Sequence, residues 1–134
     1  MVTEGGDIAI ACIWNNELQK CCIQNALHLI RNGKKHSNRF LYYWLYFLKH
    51  TGYIDLVCNK ATIAHFTKEK FSESPICVIP LEEQKTISNF LDENLSSINR
   101  TIKEKQQSID AMKTYKKSLI YEYVTGKRRV KGYS

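Results

Sequence analysis

The sequence predicts an α+β chain: a small mixed domain over residues 1–79, one long helix over 80–126 and a basic tail over 127–134. Three observations predict it. Before Pro80, short apolar runs alternate with turn-forming pairs, which suits short strands and short helices. Between Pro80 and Gly126 there is no Gly or Pro, and apolar residues recur every three or four positions. The length, 134 residues, suffices for one domain with a modest core, or a small domain with an appended helix, but not for two full domains.

In the first zone, Gly5-Gly6 marks a backbone bend. Ile8-Ala9-Ile10-Ala11-Cys12-Ile13-Trp14 reads as an apolar β-type run, and Asn15-Asn16 as a turn that tolerates positive φ. Leu18 to Ile30 fits strands or a helix, and Asn32-Gly33-Lys34-Lys35 breaks the pattern. Asn38 is the expected cap of a helix from Arg39 to about His50, stopped by Thr51-Gly52. Large apolar residues fill nearly every face of that helix, so most of it should be covered. Ile54 to Val57 and Thr62 to Phe66 read as short extended or turn segments, and Thr67 as the cap of a helix starting at Lys68. Pro75-Ile76-Cys77-Val78-Ile79-Pro80 reads as a short edge strand bracketed by prolines.

The third zone is the clearest. Pro80 and the acidic Glu82-Glu83 sit where a helix N-terminus favours them, and Gly126 where a helix ends. Leu81 to Thr125 would run roughly 68 Å at about 1.5 Å per residue. Leu91, Leu95, Ile98, Ile102, Ile109, Met112, Leu119 and Tyr123 form a heptad seam, with Lys105 and Lys116 on the same stripe. A stripe this long predicts a coiled-coil partner helix. The alternative, an amphipathic helix folded back on its own domain, requires more surface than the first 80 residues offer.

Composition narrows the class. A 43% apolar and 25% charged chain with 6 Gly and 2 Pro is neither collagen-like nor Pro/Gly-rich and disordered. The formal net charge is +7, which favours a polyanionic partner, nucleic acid before an acidic membrane surface. Residues 1–80 hold 9 basic and 6 acidic residues, and residues 81–134 hold 11 and 7. The sharpest local cluster is Lys127-Arg128-Arg129-Val130-Lys131, readable as a partner-binding segment or a solvated tail. Five cysteines without a C-x-x-C argue against a disulfide framework or a zinc site, and for buried free thiols in a reducing cytosol. Polar residues follow at once from Thr3 to Asp7, so no signal peptide is expected, and the most apolar window, Phe40 to Leu48, is far short of the ~20 residues that span a bilayer. A cytoplasmic location and no membrane partner are expected.

Catalytic motifs are missing. There is no G-x-x-x-x-G-K-S/T, no G-x-G-x-x-G and no H-E-x-x-H. His28 near Cys21 and Cys22 lacks the third group that would orient a nucleophile pair. Glu4 and Asp7 straddle the glycine bend as turn residues or, alternatively, metal ligands. Neither an enzyme nor a bound cofactor is expected. Two basic groups are more informative: Arg31, Lys34, Lys35, His36 and Arg39, then Lys60, His65, Lys68 and Lys70. Loops of this kind hold phosphates and offer one or two side chains to base edges.

One stretch is similar to a known family. Pro80-Leu81-Glu82-Glu83-Gln84-Lys85-Thr86-Ile87 and Phe90-Leu91-Asp92-Glu93 resemble the helix region of the specificity subunit of type I restriction–modification systems. The likeness continues through Ile98, Ile102, Lys105-Gln106, Ile109, Met112-Lys113 and Tyr115 to Ile120, and closes at Val124-Thr125-Gly126-Lys127. Thr3-Glu4-Gly5-Gly6-Asp7, Gln24-Asn25 and Ala61-Thr62-Ile63-Ala64-His65-Phe66 resemble segments of the family's target recognition domain.

The resemblance implies a non-catalytic subunit with two target recognition domains, each contacting one half of a bipartite sequence in double-stranded DNA. Two long helices pair antiparallel between them. The subunit recruits a modification subunit, which methylates adenine with its own S-adenosylmethionine, and through the complex a restriction subunit. On this reading residues 1–79 are a partial, truncated recognition domain. Lys34, Lys35, Arg39, Lys60 and Lys68 are expected to hold phosphates, and His36 and His65 to face bases. The Leu91–Tyr123 seam is expected to pair with another specificity helix, including a second copy in a homodimer.

Overall fold

The computed structural model describes residues 1–31, 33, 36–58 and 64–132. They fall into two compact units, Met1–Phe90 and Leu91–Ser134. The first unit is mixed, as an α+β chain requires. Strand β1 (Val2–Thr3) pairs antiparallel with β2 (Leu27–His28), Val2 opposite His28 and Thr3 opposite Leu27.

The apolar run at 8–14 does not form the expected strand. It contributes one isolated bridge, Ala11 opposite Val2. The Thr3 side and main chain explain this. Thr3 N donates to Ile10 O, Ala9 N donates to Thr3 O and Ile10 N donates to Thr3 Oγ1, each at 2.9 Å. A tight loop therefore takes up the groups that a ladder would use, and it sets Ala9 in the left-handed region at φ 58°.

Helix α1 (Asn38–His50) starts one residue earlier than expected. Its cap is Ser37, not Asn38: Ser37 is extended, and its Oγ accepts from Phe40 N at 3.3 Å. The stop is as expected, with Lys49 and His50 in the last turn and Gly52 at φ 84° just beyond it. Coverage is one-sided. Phe40, Leu45 and Leu48 are buried, whereas Tyr46 and Phe47 stay exposed and Tyr46 stacks on His50.

Ile54 to Val57, expected as a short extended or turn segment, is helical: α2 (Tyr53–Val57) follows directly on Gly52, whose carbonyl accepts from Leu56 N at 3.2 Å. Helix α3 (Lys68–Glu73) has the expected cap, Thr67, whose Oγ1 accepts from Lys70 N. The segment 75–80 forms no strand. Its prolines lack N–H groups, and side chains take two of its carbonyls: Trp44 Nε1 donates to Pro75 O at 2.7 Å and Gln84 Nε2 to Ile79 O at 2.9 Å.

The core joins Val2, Ala9, Leu45, Leu48, Ile54, Cys58 and Phe66, with Trp44, Leu41 and Phe71 packed on it. The expectation of buried thiols holds for Cys58 alone. Cys12, Cys21, Cys22 and Cys77 are exposed, because the segments that carry them form no regular element, and all five are free.

Helix α4 (Leu81–Val124) begins in the first unit and continues through the second. It ends as expected. Gly126 adopts φ 72°, Gly126 N donates to Tyr123 O at 3.3 Å and Arg128 N reaches back to Glu122 O at 3.0 Å. Along the seam Leu95, Ile98, Ile102, Ile109 and Met112 are exposed, Ile102 by 60% and Met112 by 71%.

Candidate nucleic-acid interface

The glycine loop at residues 3–7 is held from several sides. Thr3 Oγ1 donates to Asp7 O at 2.6 Å, closing the loop on itself. Glu4 N donates to Ala26 O at 2.9 Å, and Glu4 O accepts from Phe66 N at 2.8 Å. Two segments some sixty positions apart in sequence, Thr3–Asp7 and Ala64–Thr67, thus lie side by side. Gly5 faces His65: a Cβ there would meet the imidazole Cε1 at 3.6 Å.

Each acid of the loop has a basic side chain beside it. Asp7 pairs with Lys49, whose Nζ also donates to Ile8 O at 2.8 Å. Glu4 Oε2 lies 3.6 Å from His28 Nε2, and that nitrogen donates to Phe66 O at 2.8 Å. Glu4 and Asp7 are therefore turn and pairing residues. Among the described residues no group of three His, Cys, Asp or Glu side chains is placed to hold a metal.

His65 is fixed through its backbone. Its carbonyl accepts from Lys70 Nζ at 3.0 Å and from Cys58 Sγ at 3.3 Å, while its ring stays exposed. At the start of α3 the exposed Glu69 carboxyl is held below the usual carboxylate range. Its own backbone N–H and the Thr67 hydroxyl do most of this, with Lys68 and His28 adding to it.

Burial pushes the Cys58 thiol above its ordinary range; Lys70 opposes the shift and Asp55 adds to it. The protonated thiol is thus the folded form. Its contribution to stability is complete below the ordinary thiol pKa and is lost as pH rises above it. At pH 8 four thiols should react promptly with a disulfide reagent and the fifth only after unfolding. Five equally fast thiols would contradict this burial.

A second fixed point is the corner where α4 leaves Pro80. Gln84 is 2% exposed. Its Oε1 accepts from Ser37 N at 2.9 Å and its Nε2 donates to Ile79 O at 2.9 Å, with His36 Nδ1 at 3.5 Å. Gln84 thus ties the cap of α1 to the start of α4. Sequence reasoning gave Gln84 no role. The signal was present: Gln84 and Ser88 continue the seam of Leu91 and Leu95 at steps of four and three, and both are buried.

The candidate DNA-contacting residues divide as follows. Lys34, Lys35 and Lys60 lie outside the described residues. His36 is exposed beside Gln84, and Arg39 is exposed in the first turn of α1. His65 is exposed against the glycine loop, and Lys68 is exposed at the first position of α3. The structure thus sets His65 against the glycine loop with Lys68 three residues further on at the start of α3, and places His36 and Arg39 by the α1–α4 corner. His28, weighed in the sequence only beside Cys21 and Cys22, holds the loop together with Lys49.

Comparison with known proteins agrees with the resemblance read from the motifs. The profile of the type I restriction modification DNA specificity domain matches residues 1–111. A Methanocaldococcus jannaschii protein described as a type I restriction enzyme MjaX specificity subunit is 32% identical over 127 residues, which are 94% of this chain and 27% of that protein. The chain thus spans about a quarter of that relative's length. No solved structure matches the chain significantly. Among the described residues, no helix is long and apolar enough to cross a membrane.

Proposed function

The chain belongs to the type I restriction modification DNA specificity domain family, and on that premise we propose that its first unit takes part in sequence-specific recognition of double-stranded DNA. The observation that carries the reading is the family match across residues 1–111, which includes the glycine loop, its His65 neighbour and most of α4. Arg39 and Lys68, with Lys34, Lys35 and Lys60, position phosphates. His36 and His65 face base edges. Anchoring of His65 through its backbone leaves the imidazole available, which supports that assignment.

The subunit is not catalytic in this reading. It acts in the cytoplasm, docking a modification subunit that brings its own S-adenosylmethionine and, through the complex, a restriction subunit. The exposed seam of α4 supports pairing with another specificity helix, a second copy included, because an apolar stripe of this length is stable only when covered.

Duplex affinity measured against salt tests the DNA reading. It should fall steeply as salt rises. Replacing Arg39 and Lys68 by Gln should weaken binding to every sequence and flatten the salt slope by roughly 1–2 in log units, at about 0.9 per phosphate contact. Negligible duplex affinity at physiological salt would favour the rival reading, a dimerising scaffold that acts through its exposed seam alone.

A further inference from the structure

The densest positive charge of the chain lies towards its C-terminal end. Residues 81–112 hold four basic and six acidic residues. Residues 113–132 hold seven basic residues and one acid, Glu122. This short stretch therefore carries a net +6, against +3 for residues 1–80 and −2 for residues 81–112. All seven cations, Lys113, Lys116, Lys117, Lys127, Arg128, Arg129 and Lys131, are exposed.

The stretch is also organised. Lys113, Lys117 and Tyr121 step by four along α4, so they line one face at intervals of about 6 Å. Lys127 Nζ then sits 4.6 Å above the Tyr121 ring. The turn at Gly126 folds the tail back, Arg128 N onto Glu122 O at 3.0 Å and Arg128 Nη1 onto Glu122 Oε2 at 3.3 Å. Glu122 is thereby occupied within the turn, and Asp110 faces Lys113 at 3.5 Å. Among the described residues Lys117, Arg129 and Lys131 have no ion pair.

We propose that residues 113–131 form a second DNA surface, which binds the phosphate backbone of a duplex without reading its sequence. The proposal deepens the DNA reading of the chain and rests on it. A line of cations interleaved with tyrosine suits a linear polyanion carrying one charge per ~1.7 Å of axis better than it suits a compact acidic patch. Phosphate contacts add affinity and register but no base choice, so this surface would hold DNA whatever the target sequence is.

The test uses the full chain and two short fluorescent duplexes of unrelated sequence, titrated across a range of salt. The variant K117Q/R129Q/K131Q removes three cations that make no ion pair, so helicity by circular dichroism should be unchanged. Its affinity for both duplexes should fall about tenfold or more, and its salt slope should flatten by roughly 2–3 at about 0.9 per phosphate contact. The charge-preserving variant K117R/R129K/K131R should bind like the parent.

An unchanged slope would overturn the proposal. So would loss on one duplex only, since the surface would then read bases. Unchanged duplex binding with lost binding to the modification subunit would assign the patch to protein docking instead. The Arg39 and Lys68 variant separates this proposal from the reading it rests on. If that variant keeps the parent slope while the tail variant flattens it, the failure belongs to the first unit and not to the tail.

Discussion

Ile102→Asp should convert an associated chain into a monomer in sedimentation equilibrium, with its helicity intact. Ile102 lies mid-seam on α4 and is 60% exposed in the isolated chain. A carboxylate there costs an isolated helix little. In a helix pair it would be desolvated without a partner, at a cost of several kcal/mol, with about 1.5–3 kcal/mol of apolar burial lost as well. A combined loss near 5 kcal/mol weakens association by roughly three to four orders of magnitude. Ile102→Leu keeps the seam and should leave the mass unchanged. An unaltered mass for Ile102→Asp would contradict helix pairing through this stripe.

Gln84→Leu should destabilise the first unit by roughly 2–5 kcal/mol, read from urea unfolding of the full chain. The volume is nearly kept, so packing is not the main effect. Ser37 N–H and Ile79 C=O lose their partner, and an unsatisfied buried group costs about 1–3 kcal/mol each. Gln84→Glu keeps an acceptor for Ser37 N but buries a carboxylate against Ile79 O, so its loss should be at least as large. A change below about 0.5 kcal/mol for Gln84→Leu would mean that this corner is not held by the side chain.

What the sequence disclosed is governed by how local each signal is. The Thr67 cap, the stop at His50 and Gly52, the long α4 and the Gly126 ending each depend on a few adjacent residues, and each is present. The segments at 8–14 and 75–80 had the composition of strands. A strand exists only with a partner, and here Thr3, Trp44 and Gln84 take the backbone groups a partner would need. The buried thiols failed for a related reason, since Cys12, Cys21, Cys22 and Cys77 lie in segments with no sheet to cover them.

The candidate site was legible as motifs rather than as geometry. The glycine loop and the segment around His65 were both singled out, but their contact runs through Phe66 N and Glu4 O, which no spacing reveals. Gln84 lies within the Pro80-Leu81-Glu82-Glu83-Gln84 motif, yet its work is to join two elements distant in sequence. The change from acidic to basic charge between residues 81–112 and 113–132 is legible in the sequence itself.

The most direct test of the central claim is selection from a randomised duplex pool by this chain co-expressed and purified with the modification subunit of the same host. The account predicts a stable complex that enriches duplexes sharing one short motif, with Arg39→Gln and Lys68→Gln lowering the yield at every sequence. A complex that retains duplexes without enriching any motif, or an oligomeric chain that leaves the modification subunit behind, would contradict it.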